Sequence, residues 1–245
     1  MALMCYCGSG KSAGNIVPWS TGDINKIKNM LEANEEGLIE ITDYWSVGGT
    51  PRPLTLDSPV YGSPSVSLVL AALDAKTSGG TSYNAIVVTQ NCLANSQYLD
   101  SASPAQNKGW ETTSLRNELN NGNGSFYENL GEMKPLCKLV SNAQASSSAG
   151  ALEYTNDYIW IPSVGEVFGA KSYSTTAEFE KQSQFGYYKT KANIKKAGNS
   201  PNTGIWWLRS ARDATPGQHC FVRADGTAYV GPNLTAYGIS PTFCI

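Results

Sequence analysis

The glycine-rich segment near the start of the chain is the first place where residue types suggest chemistry. Gly8-Ser9-Gly10-Lys11-Ser12 resembles the end of a phosphate-binding loop, in which backbone N–H groups and a lysine hold phosphates. The full motif needs a glycine where Cys5 stands, and it needs a preceding strand, for which the residues before Gly8 leave no room. We therefore expect no nucleotide site here.

Cysteine and histidine are the other residue types that could act as metal ligands or nucleophiles. The six cysteines are irregularly spaced and too sparse for a disulfide framework. Cys5-Tyr6-Cys7 could bind a soft metal, but no second pair lies at the spacing of a tetrahedral site. The single histidine, His219, has no second metal ligand nearby in sequence, and the chain has no nucleophile elbow. The sequence leaves open a Ser/His/Asp triad whose members are brought together only by the fold. We expect free thiols, no cofactor, and a structural or contact role for His219.

The charge of the chain argues against nucleic acid as a partner. Charged residues make up 16% of the 245 residues and the net charge is −2, whereas an average soluble domain has about 25% charged residues. The densest basic cluster is Lys189, Lys191, Lys195 and Lys196, which we interpret as a solvated face because phosphate binding needs a broader basic footprint. No apolar run reaches the roughly 18 residues of a membrane span, and the first residues are too short for a signal peptide.

A hairpin near the end of the chain carries the clearest pattern. Asp225-Gly226 is a turn signal between two apolar runs. A two-residue turn would pair Arg223 with Ala228 and mix large and small residues on one face. A three-residue loop with Gly226 in the left-handed region would pair Arg223 with Thr227 instead.

The second register separates the residues better, and a slip by one residue would exchange the faces. One face would hold small apolar residues, namely Cys220, Val222, Ala228 and Val230. The other would hold Phe221, Arg223, Thr227 and Tyr229. Aromatic and arginine side chains on a surface dominate binding hot spots, so we expect this outer face to be exposed and to bind a ligand. The alternative is that another part of the chain covers it.

The strand before the hairpin carries two adjacent tryptophans. Trp206 and Trp207 must point to opposite faces of a strand, so one can anchor the core while the other supports a loop. Arg209 lies on the same face as Trp207 and is expected to form a structural ion pair or backbone hydrogen bonds.

The remaining pattern predicts the elements around this hairpin. Helices are expected from Ser20 or Thr21 to Gly37, over 110–119, from Ser125, and from the capping box that begins at Ser163. Strands are expected over 38–45, 54–56, 65–73, 84–90, 136–140 and 157–161. Residues 141–150 read as a mobile loop, and 175–196 as partly helical. Helices first and short strands later favour one α+β domain over 20–245, after a lead of residues 1–19.

Several short sequence segments of the chain resemble those of a C-type lectin-like domain of unknown function that is common in gut bacteria and phage tail proteins. The specific ones are Trp206-Trp207-Leu208-Arg209-Ser210, Cys220-x-Val222, Asp225-Gly226 and Gly238-Ile239-Ser240-Pro241. Supporting ones are 43–48, 90–93, 109–111 and 155–158. The resemblance implies an α+β C-type lectin-like fold with short antiparallel strands, helices and long loops. It covers most of the chain, although many members have an arginine in place of Ser240.

The end of the chain, residues 204–245, also resembles the variable region of proteins diversified by retroelements. The resemblance implies that the diversified positions of this chain lie among Arg212, Asp213, Thr215, Gly217, Gln218, His219, Phe221, Arg223, Thr227, Tyr229, Gly231 and Asn233. All but the two glycines are the expected ligand-binding residues. The fixed frame would be Trp206, Trp207, Leu208, Cys220, Val222, Gly226, Ala228, Gly238 and Pro241. Because the sugar-lectin triplets and Trp-Asn-Asp are missing, the resemblance implies neither calcium nor sugar.

Three functions remain as hypotheses. The favoured one is a non-enzymatic binding protein for a host or cell-surface protein or glycan, made in the bacterial cytoplasm without a signal peptide and displayed on a phage tail or cell surface. The second is an oxidase of the formylglycine-generating type, which shares the C-type lectin-like fold and would need Cys220 and Cys244 as its reactive pair. The third is a structural virion component. The oligomeric state is open.

Overall fold

Antiparallel strands are the main secondary structure of the computed structural model, which describes residues 46–47, 50–51, 53–76, 82–101, 109–145, 151–198, 204–213, 215 and 217–245. Strands hold 38% of the residues and helices 20%, and one sheet curls into a half-barrel. The prediction of an α+β domain with a C-type lectin-like fold is therefore wrong. The helices of the described residues are too few and too short to form a layer of their own, so this part of the chain is mainly antiparallel β structure.

The largest sheet has five strands. Their order is β3 (Pro53–Val60), β4 (Ser63–Lys76), β5 (Ser82–Thr89), β14 (Thr242–Cys244) and β9 (Ile159–Trp160). Five consecutive residues of β5, 85–89, are buried, which is typical of a strand covered on both faces. Phe243 of β14 lies opposite Val87 on one side and Ile159 on the other. Residues far apart in sequence therefore meet at the centre of this sheet.

A three-stranded sheet carries the hairpin that the sequence singled out. Its strands are β10 (Trp206–Ala211), β11 (Gln218–Val222) and β12 (Ala228–Pro232), in that order. All six residues of β10 are buried, whereas β12 is an edge strand with exposed and half-buried residues. The sheet therefore joins the core through β10 and presents β12 to solvent.

Three pairs of short strands complete the β structure. These are β1 (Ser46–Val47) with β2 (Thr50–Pro51), β6 (Gln97–Tyr98) with β13 (Ala236–Tyr237), and β7 (Val140–Ala145) with β8 (Leu152–Asp157). The predicted strand over 136–140 and loop over 141–150 are misplaced, because β7 runs through the first half of that loop. Its polar side chains are buried with partners: Asn142 bonds Asp157, and Gln144 bonds Glu111. Hydrogen bonding thus replaces apolar alternation in this strand.

The helices are short. They are α1 (Ser114–Asn120), α2 (Val164–Phe168), α3 (Thr176–Phe179) and α4 (Lys191–Ile194), with 3-10 segments at Trp110–Thr112, Gly131–Leu136 and Gly186–Lys189. The predicted capping box at Ser163 is confirmed, since its hydroxyl accepts from the Glu166 N–H and the Glu166 carboxylate accepts from the Ser163 N–H. The helix predicted from Ser125 is instead a series of turns, because Gly124 and Gly131 both take positive φ.

The earliest predictions lie outside the described residues. They are the lead 1–19 with its glycine-rich segment, Cys5 and Cys7, the helix ending at Gly37, and the strand over 38–45. Within the described part of the chain, no helix has the length and apolar character needed to cross a bilayer.

One lysine of the predicted solvated cluster is buried. Lys189, Lys191 and Lys195 are exposed, but Lys196 is 3% exposed. Its ammonium donates to the carbonyls of Thr89 and Gln90, at 2.5 and 3.1 Å. The same ammonium lies 5.4 to 5.7 Å from the ring centroids of Tyr187, Tyr188 and Trp206. Burial lowers the pKa of Lys196 to about 7, while the ring faces and carbonyls stabilise its charged form.

Candidate ligand-binding face

The hairpin β11–β12 has the three-residue register predicted from its sequence. Val222 pairs with Ala228 and Phe221 with Tyr229, and the Arg223 N–H donates to the Thr227 carbonyl at 2.8 Å. Gly226 takes the left-handed conformation, with φ +83°, as that register requires. The two faces of the hairpin are therefore the two that the sequence predicts.

The inner face joins the core as expected. Cys220 and Val222 are fully buried, while Ala228 and Val230 are half-buried. The frame residues Trp206, Trp207 and Leu208 of β10 are buried as well. The two tryptophans leave the strand on opposite sides: the Trp206 indole donates to the Ile194 carbonyl, and the Trp207 indole to the Gln97 carbonyl, each at 3.1 Å. Both tryptophans thus belong to the fixed frame.

Arg209 also belongs to the frame, as predicted. Its guanidinium donates to both carboxylate oxygens of Glu166, at 2.5 and 2.8 Å, and to the Ile161 carbonyl at 3.2 Å. The next residue, Ser210, donates to the buried carboxyl of Glu178. Burial raises the pKa of Glu178, partly opposed by Ser210 and Arg209. Strand β10 is therefore tied to α2 and α3 by buried polar contacts.

Phe221 of the outer face is 6% exposed. Its ring is covered by Tyr237, Tyr229 and Trp207, with centroids 4.8, 5.8 and 6.0 Å away. The expectation that Phe221 faces solvent is therefore wrong. Pairing of β13 with β6 places Tyr237 beside the hairpin, so the outer face is partly covered by another part of the same chain. Phe221 serves as the floor of the face.

Arg223 and Tyr229 are the exposed outer residues, together with Thr227. The Arg223 guanidinium carbon lies 4.3 Å from the centroid of the Tyr229 ring, a cation–π geometry. The neighbouring carboxylate of Asp225 accepts from the N–H and hydroxyl of Thr227, at 3.0 and 2.6 Å. These hydrogen bonds lower the pKa of Asp225. The Arg223 guanidinium thus lies over a tyrosine ring at the surface.

A shallow depression of about 480 Å³ opens on this face. We call it the arginine depression, and its lining includes Ile205, Phe221, Arg223, Asp225, Tyr229 and Tyr237. Tyr229 is 42% exposed, so a ligand would meet a ring, a guanidinium and an apolar floor in one place. This combination is typical of a site where an apolar surface gives affinity and a few polar groups give orientation.

A second depression, of about 510 Å³, lies across Tyr229 from the first. We call it the lysine depression, and its lining includes Phe168, Tyr173, Lys191, Ile194, Thr227 and Ala228. Tyr173 is 40% exposed, and its ring centroid lies 6.0 Å from that of Tyr229 in an edge-to-face contact. Tyr173 in the lining of the lysine depression therefore contacts Tyr229 in the lining of the arginine depression.

The loop before β11 holds the next group of predicted positions. The guanidinium of Arg212 donates to the side-chain oxygen of Gln218 at 2.7 Å, and both residues are half-buried. Asp213 is exposed, and its N–H donates to the Tyr173 carbonyl at 3.1 Å. Thr215 is half-buried. This loop therefore borders the lysine depression. The side chains of Arg212 and Gln218 are hydrogen-bonded to each other within it.

His219 and Asn233 are not on the surface. Both are fully buried, and His219 Nδ1 lies 2.8 Å from the side-chain oxygen of Asn233. Burial lowers the pKa of His219 to about 4, partly opposed by the Asn233 hydrogen bond and the charge of Asp100. Their prediction as surface contact residues is wrong, because other parts of the chain cover both side chains. His219 lies on the same face of β11 as Phe221, whose ring is covered in the same way. His219 has a structural role instead.

Two aromatic contributors were missed at the level of sequence. Tyr173 precedes α3 and is far from the hairpin in sequence, whereas Tyr237 lies in β13, shortly after the end of β12. Lys191 was assigned to a solvated face, although it lines the lysine depression. No spacing rule connects these residues, because strand pairing and loop packing bring them to the hairpin.

The two cysteines that an oxidase of the formylglycine-generating type would need lie inside the protein. Cys220 and Cys244 are fully buried. Burial raises the pKa of the Cys244 thiol to about 12 and that of the Cys220 thiol well above its usual value, whereas a reactive cysteine needs a lowered pKa and access. In the part of the chain that the structure describes, no three His, Cys, Asp or Glu side chains are grouped to hold a metal ion.

Comparison with known proteins gives one match. A family model described as "Domain of unknown function (DUF6273)" matches residues 83–245. No curated protein and no solved structure matches the chain. The matched segment includes β10–β12 and all residues named above for both depressions.

Proposed function

The chain belongs to the family described as Domain of unknown function (DUF6273), and we propose that it is a non-enzymatic ligand-binding protein. Its binding face is the outer face of the hairpin β11–β12 together with the two depressions beside it. The proposed partner is a protein or glycan on the surface of a host or another cell. The proposed setting is a phage tail or a bacterial surface.

The observation that carries this proposal is the arrangement of Arg223 on Tyr229. The guanidinium lies 4.3 Å from the ring centroid at the rim of a depression whose floor is Phe221. Arginine and tyrosine are enriched among residues that dominate binding energy, especially beside a pocket. Because the ring already orients the guanidinium, a ligand would lose less rotamer entropy when it binds.

The buried thiols favour binding over oxidase chemistry. Cys220 and Cys244 have raised pKa values and no exposed surface, so neither supplies an accessible thiolate. The linings of the two shallow depressions hold no cysteine or histidine. A binding role therefore suits the geometry better than an enzymatic one.

The proposal includes diversification of this face by a retroelement, at fewer positions than the resemblance implies. Gly217, His219, Phe221, Gly231 and Asn233 are buried, and their replacement would disturb the core. The accessible positions are Arg212, Asp213, Thr215, Gln218, Arg223, Thr227 and Tyr229. The test is genomic: a neighbouring reverse transcriptase gene and an imperfect copy of the codons for 204–245, with differences concentrated at these positions. Differences concentrated at the buried codons would contradict it.

Binding itself is tested with fluorescently labelled protein on intact bacterial cells of a panel of strains. We expect saturable binding to at least one strain, and its loss in the double variant Arg223→Ala/Tyr229→Ala. The matched control is Tyr154→Ala, which removes a 51% exposed tyrosine from β8, in a different sheet. Equal binding by the double variant and the wild type, with both proteins folded by circular dichroism, would overturn the proposal.

A further inference from the structure

We infer that the ligand of this face is an extended segment of a protein, which adds to the free edge of β12 as a fourth strand of the three-stranded sheet. This inference rests on the proposed binding function and chooses a polypeptide over a glycan as its ligand. Its basis is a short row of outward-facing backbone groups on β12, beside the lysine depression.

The hydrogen bonds at the two ends of the hairpin show which backbone groups of β12 face outward. At one end the Arg223 N–H donates to the Thr227 carbonyl at 2.8 Å. At the other end the Asn233 N–H donates to the Gly217 carbonyl at 3.0 Å. Hydrogen-bonded and non-hydrogen-bonded pairs alternate along an antiparallel ladder. Both ends therefore place the odd-numbered residues of β12 in hydrogen-bonded pairs with β11.

The even-numbered residues of β12 consequently turn their backbone groups away from β11. Ala228 and Val230 each offer one N–H and one C=O at this edge, and neither makes a backbone hydrogen bond outside the ladder to another described residue. Such a row is a template for a further strand. It ends at Pro232, which has no N–H and whose carbonyl accepts from the Thr235 N–H. The free edge is therefore confined to Ala228 and Val230.

The lysine depression lies beside this edge. Its lining joins Thr227 and Ala228 of the hairpin to Phe168 of α2 and Ile194 of α4, and its volume is about 510 Å³. Neighbouring strands of a sheet lie about 4.8 Å apart, so a strand added to β12 would enter this space. The depression is thus placed to receive one face of the added strand.

The side chains of the sheet predict what the added strand carries. Directly opposite residues on neighbouring strands share a face, and Trp206, Val222 and Ala228 form one such row. The Trp206 indole donates to the Ile194 carbonyl, so this row runs over α4. The partner residue opposite Ala228 would be next in the row and would face Phe168 and Ile194. We therefore expect an apolar side chain at that position of the partner.

A glycan suits this face less well. A sugar ring would stack on an exposed aromatic face, but the Arg223 guanidinium already lies 4.3 Å from the centroid of the Tyr229 ring. The charge of Arg223 also acts on the Asp225 carboxylate, which reduces its attraction for an acidic sugar. The edge groups of β12, in contrast, match the donors and acceptors of another extended backbone.

The test uses random heptapeptides displayed on phage and selected on the immobilised full-length protein. The tightest peptide is synthesised, and its affinity is measured by fluorescence polarisation. Each of its backbone nitrogens is then methylated in turn, which removes one N–H donor and keeps the side chain. We expect the affinity to fall at least about fivefold at alternate residues only. Peptide binding should slow hydrogen exchange of the Ala228 and Val230 amides and leave that of Tyr229, which faces β11, unchanged.

A pair of variants at one edge position tests the same contact from the side of the protein. Val230→Pro removes an outward N–H from an edge strand, where proline is tolerated, and Val230→Ala keeps that N–H. We expect the peptide affinity of Val230→Pro to be about tenfold below that of Val230→Ala, and its binding to cells to be weaker as well. Cells treated with proteinase K should lose binding, whereas cells treated with periodate should keep it.

The inference is overturned if no peptide is enriched, if the effect of N-methylation does not alternate along the peptide, or if the Ala228 and Val230 amides exchange equally fast with and without peptide. Cell binding that resists protease and is lost after periodate treatment also overturns it, because the ligand is then a glycan. In each case the proposed function stands if cell binding still depends on Arg223 and Tyr229. If cell binding does not depend on those two residues, the proposed function itself fails.

Discussion

At the level of single residues, buried charges tie the binding face to the core. Arg209 is fully buried and pairs with Glu166 through two hydrogen bonds. Glu166 also accepts from the Ser163 N–H at the start of α2. Because β10 is the buried strand through which the three-stranded sheet joins the core, this ion pair fixes the hairpin relative to the rest of the protein.

Removing one partner of this ion pair should cost more than removing both. Arg209→Met leaves the Glu166 carboxylate buried without its cation, and we expect it to lower the free energy of unfolding by about 3–5 kcal/mol. The double variant Arg209→Met/Glu166→Leu should recover part of that loss, because no uncompensated charge is left. Urea denaturation of wild type, both single variants and the double variant gives the comparison. Additive losses in the double variant would contradict this account.

Because the chain has a single histidine, the contribution of histidine to the pH dependence of stability can be measured separately from that of the carboxyl groups. Burial lowers the pKa of His219 from 6.5 to about 4, so between these values the unfolded chain binds a proton that the folded protein does not. The free energy of unfolding should therefore decrease as the pH falls from 6.5 to 4, by up to about 3 kcal/mol at roughly 1.4 kcal/mol per pH unit.

Urea denaturation at pH 7.5, 6, 5 and 4 measures this slope. His219→Gln removes the titrating ring. The change of its free energy of unfolding with pH should therefore lack the contribution of His219 and keep that of carboxyl groups such as Glu178. The chain has one histidine, so the difference between the two curves belongs to His219. Parallel curves would show that His219 titrates normally in the folded protein.

At the level of elements, the hairpin depends on close packing between β12 and the aromatic floor. A Cβ atom at Gly231 would lie 2.9 Å from Phe221 Cε1. We expect Gly231→Ala to lower the free energy of unfolding by about 1–3 kcal/mol and to shift the Phe221 ring, which changes the near-ultraviolet circular dichroism. Gly186→Ala is the control, since its Cβ would meet only the Ala71 carbonyl at 3.7 Å. Equal thermal midpoints for the two variants would contradict this.

The sequence predicted local elements better than their surroundings. The register of β11–β12 was readable because a one-residue slip would mix its faces, and the capping box at Ser163 because its residues are close in sequence. The exposure of Phe221 was mispredicted, because Tyr237 reaches it only through the pairing of β13 with β6. Strand β7 was missed because its buried positions are polar and small. The register of the hairpin was therefore predictable from local sequence patterns, whereas the burial of its outer face depends on strand pairing with distant residues.

At the level of the whole molecule, strands distant in sequence depend on one another. β14 pairs with both β5 and β9, and the Lys138 N–H donates to the Cys244 carbonyl. The parallel bridge between Trp206 and Gly238 links the three-stranded sheet to the segment that leads into β14. Such non-local pairing predicts slow, cooperative folding, and it explains why the prediction of separate α and β regions failed.

Phe243 is the residue through which this cooperativity is best tested. Its side chain is fully buried at the centre of the five-stranded sheet, so Phe243→Ala should lower the free energy of unfolding by about 3–5 kcal/mol. Tyr154→Ala, at a 51% exposed position, should change it little. Because β14 joins β5 to β9, we expect far-ultraviolet circular dichroism and tryptophan fluorescence to report one shared transition in wild type and variant alike. Two separate transitions in Phe243→Ala, with the hairpin signal unchanged, would show that the three-stranded sheet folds independently of the large one.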